Sequence, residues 1–234
     1  MDRIDKLISN QTGYTRKEVK EILHAKRIKV NDVIITKPEY KIDSSKDKVF
    51  MDNKELLFQK NIYIVLNKPK GYVSATEDKE EKTVLDLIPE EYRHRNLFPA
   101  GRLDKDTTGM MIITDDGDFA HEILSPKKHI PKTYLVTIDI PITKEMVTGF
   151  EQGVELIDGV CKTSKLEIIN EKEAKVTLTE GRYHQIKRMF GVYKAKVLEL
   201  KRISMGSLIL PNDLEEGEYR ELTLQELERI KERE

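Results

Sequence analysis

The first 60 residues combine helical spacing of apolar positions with short strand-like runs. Apolar residues three and four positions apart predict a short helix over residues 2–10. Thr15 and Glu18 form a capping-box pattern, which predicts that a second helix begins after Thr15. Apolar runs rich in β-branched residues predict three strands, at Ile28–Val30, Val33–Ile35 and Val49–Met51. We therefore expect a small unit of helices and short strands.

From about residue 62, short strand-like runs alternate with short helical segments. The pattern predicts strands at 62–66, 110–113, 133–138, 165–169, 174–179, 196–203 and 208–210. It predicts helices at 83–88 and 119–124, just after Gly181, and after a second capping box at Thr223. Asp158-Gly159 signals a hairpin. Since regular βαβ units are missing, we expect an α+β fold with a mixed, mainly antiparallel sheet flanked by helices.

Charge is distributed unevenly along the 234 residues, although the net charge is −1. Residues 1–60 hold 14 Lys or Arg against 10 Asp or Glu, and residues 180–202 hold seven against two. Residues 211–234 are acidic, with four against nine. Basic segments of this kind are typical of surfaces that bind polyanions, and also of ordinary solvated lysine-rich surfaces.

Composition restricts the class of protein further. Charged residues make up 35% and hydrophobic residues 38%, which is typical of soluble globular proteins. The N-terminal residues lack the pattern of a signal peptide, and no apolar run approaches membrane-spanning length. The single cysteine, Cys161, excludes an internal disulfide. We therefore expect a cytoplasmic protein that does not bind a membrane.

A basic stripe follows the helix that begins after Thr15. It consists of Arg16, Lys20, His24 and Arg27, beside the apolar face of the helix. Such a stripe can contact the phosphate backbone of RNA, or can simply be solvated. The strand Ile28–Val30 follows directly.

The stretch FPAGRLDKDTTGMMIIT, residues 98–114, joins a glycine turn, a cluster of charges and hydroxyls, and a buried strand. Gly101 permits a tight bend, and Asp104 lies between that bend and the strand. A carboxylate held rigidly among donors can act as a nucleophile or base. Most aspartates in loops merely cap a turn, and the spacing alone favours that interpretation.

Two other basic loops adjoin predicted strands. Lys68 follows the strand at 62–66, and its ammonium group could contact phosphate or be solvated. Lys132 ends the basic loop at 127–132, and Tyr134 follows at the start of a strand. Tyr134 is either an ordinary strand tyrosine or a ring on which a base stacks.

The stretch TEGRYHQIKRMF, residues 179–190, places Arg182, Lys187 and Arg188 at the start and flanks of a predicted helix. A helix N-terminus with added cations suits a phosphate or a carboxylate counter-charge.

Residues 1–55 resemble the S4 RNA-binding domain. The resemblance rests on RIDKLIS, GYTRKEVKEILHAKRIKVND and KIDSSKDKVF. It implies binding to structured RNA through shape and phosphate contacts, by Arg16, Lys20 and Arg27. Residues 56–61 then form a linker, and residues 62–234 a second domain.

The second domain resembles the pseudouridine synthases, in the branch that carries an N-terminal S4 domain and modifies ribosomal RNA. The resemblance rests on KPKGY, GRLDKDTTG, KTY, EGRYHQIKRMF and GEYRELT, which occur in the family's order. It implies isomerisation of a uridine to pseudouridine, without cofactor or metal. The segments look most like the small-subunit (16S) enzymes, and the large-subunit (23S) enzymes share the motifs.

The resemblance also implies residue roles. Asp104 is the expected catalytic residue, which attacks the ribose or takes a proton from it. Tyr134 stacks on the uracil, and Lys187 pairs with Asp104 where related branches have arginine. Arg102 holds the flipped nucleotide, and further RNA contacts are expected from Lys68, Lys132, Arg182 and Arg188. The expected partner is ribosomal RNA or a subunit assembly intermediate, bound by a monomer.

Two other classes remain as alternatives. A non-catalytic S4-type RNA-binding protein would explain the basic segments, but has no need of Asp104, Tyr134 and Lys187 together. A glycosidase-like hydrolase could use Asp104 and Asp106, yet the chain has no tryptophan for a sugar platform. The five histidines show no metal-ligand spacing.

Overall fold

The computed structural model describes residues 1–92 and 94–232, and the chain divides into two compact units. The first unit comprises Met1–Ile62 and Ile88–Leu97, and the second comprises Tyr63–Leu87 and the chain from Phe98 onward. The two domains expected from the sequence, residues 1–55 and 62–234 with a linker at 56–61, stay a prediction. That division includes 88–97 in the second domain, whereas the structure groups this segment with the first unit.

Arg95 explains why the segment 88–97 belongs to the first unit. Its guanidinium donates hydrogen bonds to the carbonyls of Asn10 (3.3 Å), Gln59 (3.1 Å) and Lys60 (2.9 Å). Arg95 is largely buried, so these bonds satisfy a desolvated cation. The hydrophobic pattern carries no signal for this return of the chain.

The first unit contains two helices and six short strands among the described residues. They are β1 (Asp2–Arg3), α1 (Ile4–Thr12), α2 (Arg16–His24), β2 (Ile28–Val30), β3 (Val33–Ile34), β4 (Lys41–Ile42), β5 (Val49–Met51) and β6 (Lys54–Leu56). An antiparallel sheet has the order β3-β2-β5-β6. The core includes Ile4 and Ile8 of α1, Leu23 of α2, and Ile28 and Val49 of the sheet.

The capping box predicted for α2 is confirmed. The Thr15 hydroxyl accepts a hydrogen bond from the Glu18 N–H at 3.3 Å, and the Glu18 carboxylate accepts one from the Thr15 N–H at 2.7 Å. The strands predicted at Ile28–Val30 and Val49–Met51 have those bounds in the structure. Local propensity and packing therefore agree in this unit.

The second unit is larger and its elements follow β6 in chain order. They are β7 (Tyr63–Lys68), a 3₁₀ turn (Val84–Leu87), β8 (Phe98–Pro99), β9 (Thr108–Thr114), α3 (Gly117–Leu124), β10 (Lys132–Ile138), α4 (Lys144–Gln152), β11 (Glu155–Leu156), β12 (Gly159–Val160), β13 (Lys165–Ile168), β14 (Glu173–Leu178), α5 (Gln185–Val192), β15 (Val197–Met205), β16 (Leu208–Ile209), β17 (Tyr219–Glu221) and α6 (Leu224–Lys231). A further 3₁₀ turn, Glu90–Tyr92, belongs to the first unit.

The main sheet has the order β13-β14-β10-β15-β9-β7-β17, with β16 paired to β15 and β8 paired to β9. Within the described chain the pairings are antiparallel except that between β9 and β15. The predicted α+β class with a mixed, mainly antiparallel sheet is therefore confirmed.

Two hydrophobic cores stabilise this sheet. One packs α4 and α5 against β10, β13 and β14, and the other packs α3 and α6 against β7 and β9. Strand β15 contributes Leu200 to the first core and Met205 to the second. The strand between these two residues therefore lies where the two cores meet.

The helix predicted just after Gly181 begins later, at Gln185. Its N-cap residue, His184, has a left-handed backbone with φ of 47°. The Gln185 side chain accepts a hydrogen bond from the Arg182 N–H at 2.9 Å and stabilises the preceding turn. Arg182 therefore lies outside the helix. Helix α4 was not predicted.

The C-terminal helix is capped as predicted and is held to β17 by an ion pair. Thr223 and Glu226 form a capping box, and Glu226 also accepts two hydrogen bonds from Arg220, at 2.9 and 2.6 Å. The Arg220 hydrogen bonds lower the pKa of Glu226 to about 2. Between this pKa and 4.5 the unfolded chain binds more protons than the folded protein. The stabilisation from Glu226 is therefore complete above pH 4.5 and is lost as the pH falls towards 2.

We predict that Arg220→Met lowers the free energy of unfolding by about 1 kcal/mol at pH 7, since the pair is partly exposed. The difference from wild type should shrink as the pH falls below about 4. Urea unfolding at pH 7 and pH 3 measures both differences. An equal difference at the two pH values contradicts the assignment.

Candidate active site

The loop between β8 and β9 carries Asp104, and a buried lysine fixes its backbone. The ammonium group of Lys68 donates to the carbonyls of Pro69 (3.1 Å), Asp104 (3.1 Å), Lys105 (3.3 Å) and Thr107 (2.8 Å). Lys68 is fully buried, and this burial lowers its pKa to about 8. The phosphate contact expected of Lys68 is therefore corrected: the side chain faces the loop backbone.

A serine fixes the residue before Asp104. The Ser74 hydroxyl accepts a hydrogen bond from the Leu103 N–H at 2.9 Å and donates one to the Leu103 carbonyl at 2.7 Å. Gly101 starts the loop with φ of 96°, and a Cβ there would lie 2.8 Å from Leu124 Cδ2. The backbone on both sides of Asp104 is thus held by buried groups, as a positioned catalytic side chain requires.

Gly109 brings this loop against strand β15. It has φ of 98°, and a Cβ at this position would lie 2.3 Å from the carbonyl oxygen of Arg202. Only glycine allows that approach without displacing the backbone. The contact lies in the parallel pairing of β9 with β15, which joins Gly109 to Arg202.

The Asp104 carboxylate contacts two side chains from the segment that begins α5. Lys187 Nζ lies 3.1 Å from Asp104 Oδ2, and His184 Nε2 lies 3.4 Å from Oδ1. The same Lys187 Nζ lies 2.6 Å from Asp106 Oδ1. About a quarter of the Asp104 and Lys187 side-chain surfaces is exposed (26% and 25%), so the pair is shielded yet open to a ligand.

The electrostatics keep Lys187 charged. Partial burial acts to lower the pKa of Lys187, but the hydrogen bonds to Asp106 and Asp104 outweigh it, and the pKa is raised. Burial acts to raise the pKa of Asp106, and the Lys187 ammonium outweighs it, so that pKa is lowered. The Lys187 ammonium group thus pairs with the carboxylates of both Asp104 and Asp106.

A cavity of about 480 Å³ adjoins Asp104. Its lining residues on the sheet include Lys132, Tyr134, Leu178, Leu200 and Arg202, and its other lining residues include Arg102, Arg182, Tyr183 and His184. This volume suits a small organic ligand, and the wall mixes apolar with cationic groups.

An irregularity in the pairing of β10 with β15 sets which residue lies opposite Tyr134. The register shifts between Thr133 and Tyr134, so that Thr133 is opposite Ser204 and Tyr134 is opposite Arg202. Such bulges re-aim side chains near active sites. Tyr134 is partly buried and packs against the core of α4 and α5.

The other cations predicted in this unit differ in their surroundings. Arg102, Lys132 and Arg182 line the cavity. Arg182 also donates to the carbonyls of Gly159 (3.0 Å) and Val160.

Arg188 pairs with Asp158, with Nη1 at 3.2 Å from Oδ2, and donates to the carbonyl of Tyr183 at 3.1 Å. In this arrangement the cation beside Asp104 is Lys187, and Arg188 is engaged elsewhere.

Three cations predicted to bind RNA lie in the first unit and are exposed: Arg16, Lys20 and Arg27. Arg16 pairs with Asp5 at 2.8 Å, and Arg27 with Asp52 at 2.5 Å. Asp5 is fully buried and also accepts from Arg3, so Arg16 has a structural role in this unit as well.

Sequence reasoning missed four features of the site. It gave Asp106 a role only in the glycosidase-like alternative, although Asp106 shares Lys187 with Asp104. It gave no role to His184 or Arg202, and it assigned Lys68 to RNA. The left-handed turn at His184 and the cross-strand position of Arg202 depend on tertiary structure, which spacing does not reveal.

The part of the chain that the structure describes has neither a metal-ligand cluster nor a membrane-spanning helix. No group of three or more His, Cys, Asp or Glu side chains there could hold a metal ion. No helix in the same residues is long and apolar enough to span a membrane.

Comparison with known proteins agrees with this geometry. Residues 62–191 match the RNA pseudouridylate synthase family, and residues 2–49 match the S4 domain. The crystal structure of a pseudouridylate synthase superposes with a TM-score of 0.70 at 35% identity, covering 98% of this chain and 100% of its own.

Curated relatives are similar over nearly their whole length. A ribosomal small subunit pseudouridine synthase A from Yersinia pestis is 39% identical over 227 residues, 96% of each chain. The Escherichia coli (strain K12) protein of the same name is 38% identical over 227 residues, 96% of this chain and 98% of its own. An uncharacterized RNA pseudouridine synthase from Bacillus subtilis (strain 168) is 41% identical over 236 residues, 98% of each.

The resemblance inferred from the motifs is therefore confirmed for both domains. The chain belongs to the RNA pseudouridylate synthase family and carries an S4 domain at its N-terminal side.

Proposed function

We propose that this enzyme isomerises a uridine of small-subunit (16S) ribosomal RNA to pseudouridine, with Asp104 as the catalytic residue. The observation that carries the proposal is the shielded Asp104 carboxylate beside a ligand-sized cavity, with Lys187 Nζ at 3.1 Å. The loop that bears Asp104 is fixed through Lys68 and Ser74, so its position does not depend on the substrate.

The reaction begins on the ribose. Asp104 attacks the sugar, or takes a proton from it, as the bond between ribose and uracil breaks. The uracil then turns and rejoins the sugar through carbon. The product is an isomer of the substrate, so the reaction consumes no redox equivalent and no activated donor.

Tyr134 supplies the stacking surface for the uracil in this proposal. Extruding a uridine from folded RNA costs a few kcal/mol of lost stacking and pairing. Stacking on an aromatic ring returns about 1–3 kcal/mol per base. The position of Tyr134 on the cavity wall, in the same cavity as Asp104, supports this role.

Lys187 supplies the counter-charge of Asp104 in this proposal, with its Nζ 3.1 Å from Asp104 Oδ2. An ammonium group at this distance attracts the carboxylate and holds it in place. Its contact with Asp106 restrains the long side chain, which supports the use of lysine where related branches have arginine.

RNA binding is proposed for the S4 domain, with Arg16, Lys20 and Arg27, and for Arg102, Arg182 and Arg188 near the cavity. The exposure of the first three residues supports phosphate contacts. The substrate is 16S rRNA, free or in a subunit assembly intermediate in the cytoplasm, and the enzyme acts as a monomer.

The choice of 16S rRNA is supported by the two relatives named small subunit pseudouridine synthase A, at 39% and 38% identity. Purified protein incubated with 16S or 23S rRNA transcripts, followed by mapping of pseudouridine, tests it. We expect modification of one uridine in 16S rRNA. If only 23S rRNA is modified, the proposed 16S substrate is wrong, and the proposed isomerisation of uridine is retained.

The S4 domain gives a separate prediction. Deleting residues 1–55 should weaken binding to structured rRNA and reduce the salt dependence of the affinity, because phosphate contacts are lost. Filter binding at several salt concentrations measures both quantities. If the affinity and its salt dependence are both unchanged, the domain does not bind the substrate.

A further inference from the structure

Two cations in the cavity wall have polar partners but no counter-ion among the residues that the structure describes. Arg202 is 2% exposed, and its Nε donates to the Met110 carbonyl at 2.7 Å. Its Nη2 has no hydrogen-bond partner among the described residues. Lys132 donates from Nζ to the Ile130 carbonyl at 3.1 Å. Burial, followed by the Arg202 charge, lowers the pKa of Lys132 to about 8.

The cavity carboxylates do not neutralise these cations. Asp104 pairs with Lys187, and Glu180 lies 3.4 Å from Arg182 Nε. Within residues 1–92 and 94–232, neither of the two cations forms an ion pair. A buried cation and a partly buried one with no anion beside them in the described chain cost free energy, and a bound anionic group would offset that cost.

The sheet places both cations beside Tyr134. Arg202 is directly opposite Tyr134 across the β10–β15 pairing. Lys132 lies two positions before Tyr134 on β10, so alternation puts it on the same face. Directly opposite residues have Cβ atoms about 5 Å apart. A ring stacked on Tyr134 therefore has its edge within reach of both side chains.

On the basis of the proposed function, we propose that Lys132 and Arg202 bind the carbonyl oxygens of the target uracil and stabilise its negative charge after it leaves the ribose. This gives Lys132 a role on the base instead of the backbone contact expected from the sequence. It makes Arg202, for which the sequence predicted no role, a second contact of the reacting ring.

The electron balance of the reaction requires such a charge. When the C1′–N1 bond breaks, its electron pair stays on the ring and spreads from N1 to O2 and O4. Asp104 meets the deficit on the sugar, by bonding C1′ or accepting the C2′ proton. The C5 atom later gives a pair to C1′ as the bond between Asp104 and C1′ breaks, or as Asp104 returns the proton to C2′. The C5 proton then leaves, and N1 gains a proton.

The symmetry of uracil makes a pair of cations suitable for both halves of the reaction. Turning the ring by half a revolution about its N3–C6 axis exchanges N1 with C5. The same rotation exchanges O2 with O4. Two fixed cations that span these oxygens therefore bind the ring equally well before and after the turn, and hold it in the cavity while no covalent bond does.

The test separates chemistry from binding. Wild type, Lys132→Met, Lys132→Arg and Arg202→Lys are compared by single-turnover pseudouridine formation at saturating 16S rRNA, and by filter binding over a range of salt. Lys175→Met is the matched control, because Lys175 is exposed and pairs with Leu135, which alternation places on the opposite face. Thermal denaturation checks that each variant is folded.

We expect Lys132→Met to lower the single-turnover rate about 10²-fold, the typical effect of losing one donor to a developing anion. Its affinity and salt dependence should match the wild type, and Lys132→Arg should recover part of the rate. Arg202→Lys should also lose rate at unchanged affinity.

Two results would overturn the proposal. One is that Lys132→Met binds RNA more weakly, with the slope of its affinity against salt reduced by about 1, while its single-turnover rate is unchanged. That result would indicate a phosphate contact. The other is no change in either quantity while the wild type is active. An inactive wild type would instead refute the proposed function on which this inference rests.

Discussion

Asp104→Ala is expected to abolish pseudouridine formation and to leave the protein folded and able to bind rRNA. The substitution removes the carboxylate that acts on the ribose, and losing such a group costs on the order of 10⁴-fold or more in rate. The backbone of the loop should persist, because Lys68 holds it through carbonyl oxygens and Ser74 holds Leu103. Single-turnover pseudouridine formation, circular dichroism and filter binding measure the three properties.

Asp106→Ala is the matched control in the same loop. Asp106 also contacts Lys187, at 2.6 Å, but its side chain is 68% exposed, against 26% for Asp104. We expect its loss to reduce the rate by no more than about tenfold, because an exposed ion pair contributes about 0–1 kcal/mol and a tenfold change in rate corresponds to about 1.4 kcal/mol. If Asp106→Ala were as inactive as Asp104→Ala, the two carboxylates would act together, as in the glycosidase alternative, and free uracil should then be sought as a product.

Lys68→Met should be the most destabilising single change near the site. Methionine has a similar length but donates no hydrogen bond, so four backbone carbonyls lose a donor. We expect a loss of about 3 kcal/mol in the free energy of unfolding, the typical cost of leaving buried polar groups unsatisfied. The rate should also fall, since the backbone at Asp104 loses its restraint. Urea unfolding and the single-turnover assay measure the two effects.

Lys70→Met provides the control for Lys68→Met. Lys70 is two residues away and half exposed, and it pairs with Glu199 at 2.6 Å. Exposed pairs contribute about 0–1 kcal/mol, so this variant should unfold nearly as the wild type does. Equal destabilisation by both substitutions would show that Lys68 is not the structural support of the loop.

Much of the fold is predictable from local signals. The capping boxes at Thr15 and Thr223 start helices where predicted, because each satisfies free backbone N–H groups locally. The strand predicted at residues 110–113 is the centre of β9, since continuous apolar runs indicate burial on both faces.

Features that depend on distant contacts are not predictable in this way. Helix α5 begins at Gln185 because His184 takes a left-handed conformation beside Asp104. Arg95 joins its segment to the first unit through carbonyls distant in sequence. Neither arrangement has a periodic signature.

The candidate site likewise contains residues that the sequence predicts and residues whose roles depend on tertiary structure. The resemblance to the pseudouridine synthases implies Asp104, Tyr134 and Lys187 as site residues. The structure brings Asp104 and Lys187 together, with Tyr134 on the wall of the adjacent cavity. The burial of Lys68 and the position of Arg202 follow from sheet pairing and tertiary packing. A lysine in a Lys-Pro-Lys-Gly turn is therefore expected to be exposed when only the sequence is known.

The most direct test maps pseudouridine at every uridine of 16S and 23S rRNA in cells that lack this gene, with and without complementation. We predict that one uridine of 16S rRNA stays unmodified in the deletion strain. The wild-type gene should restore the modification, and the Asp104→Ala gene should not. Restoration by the Asp104→Ala gene, or an rRNA pseudouridine map identical with and without the gene, would contradict the account.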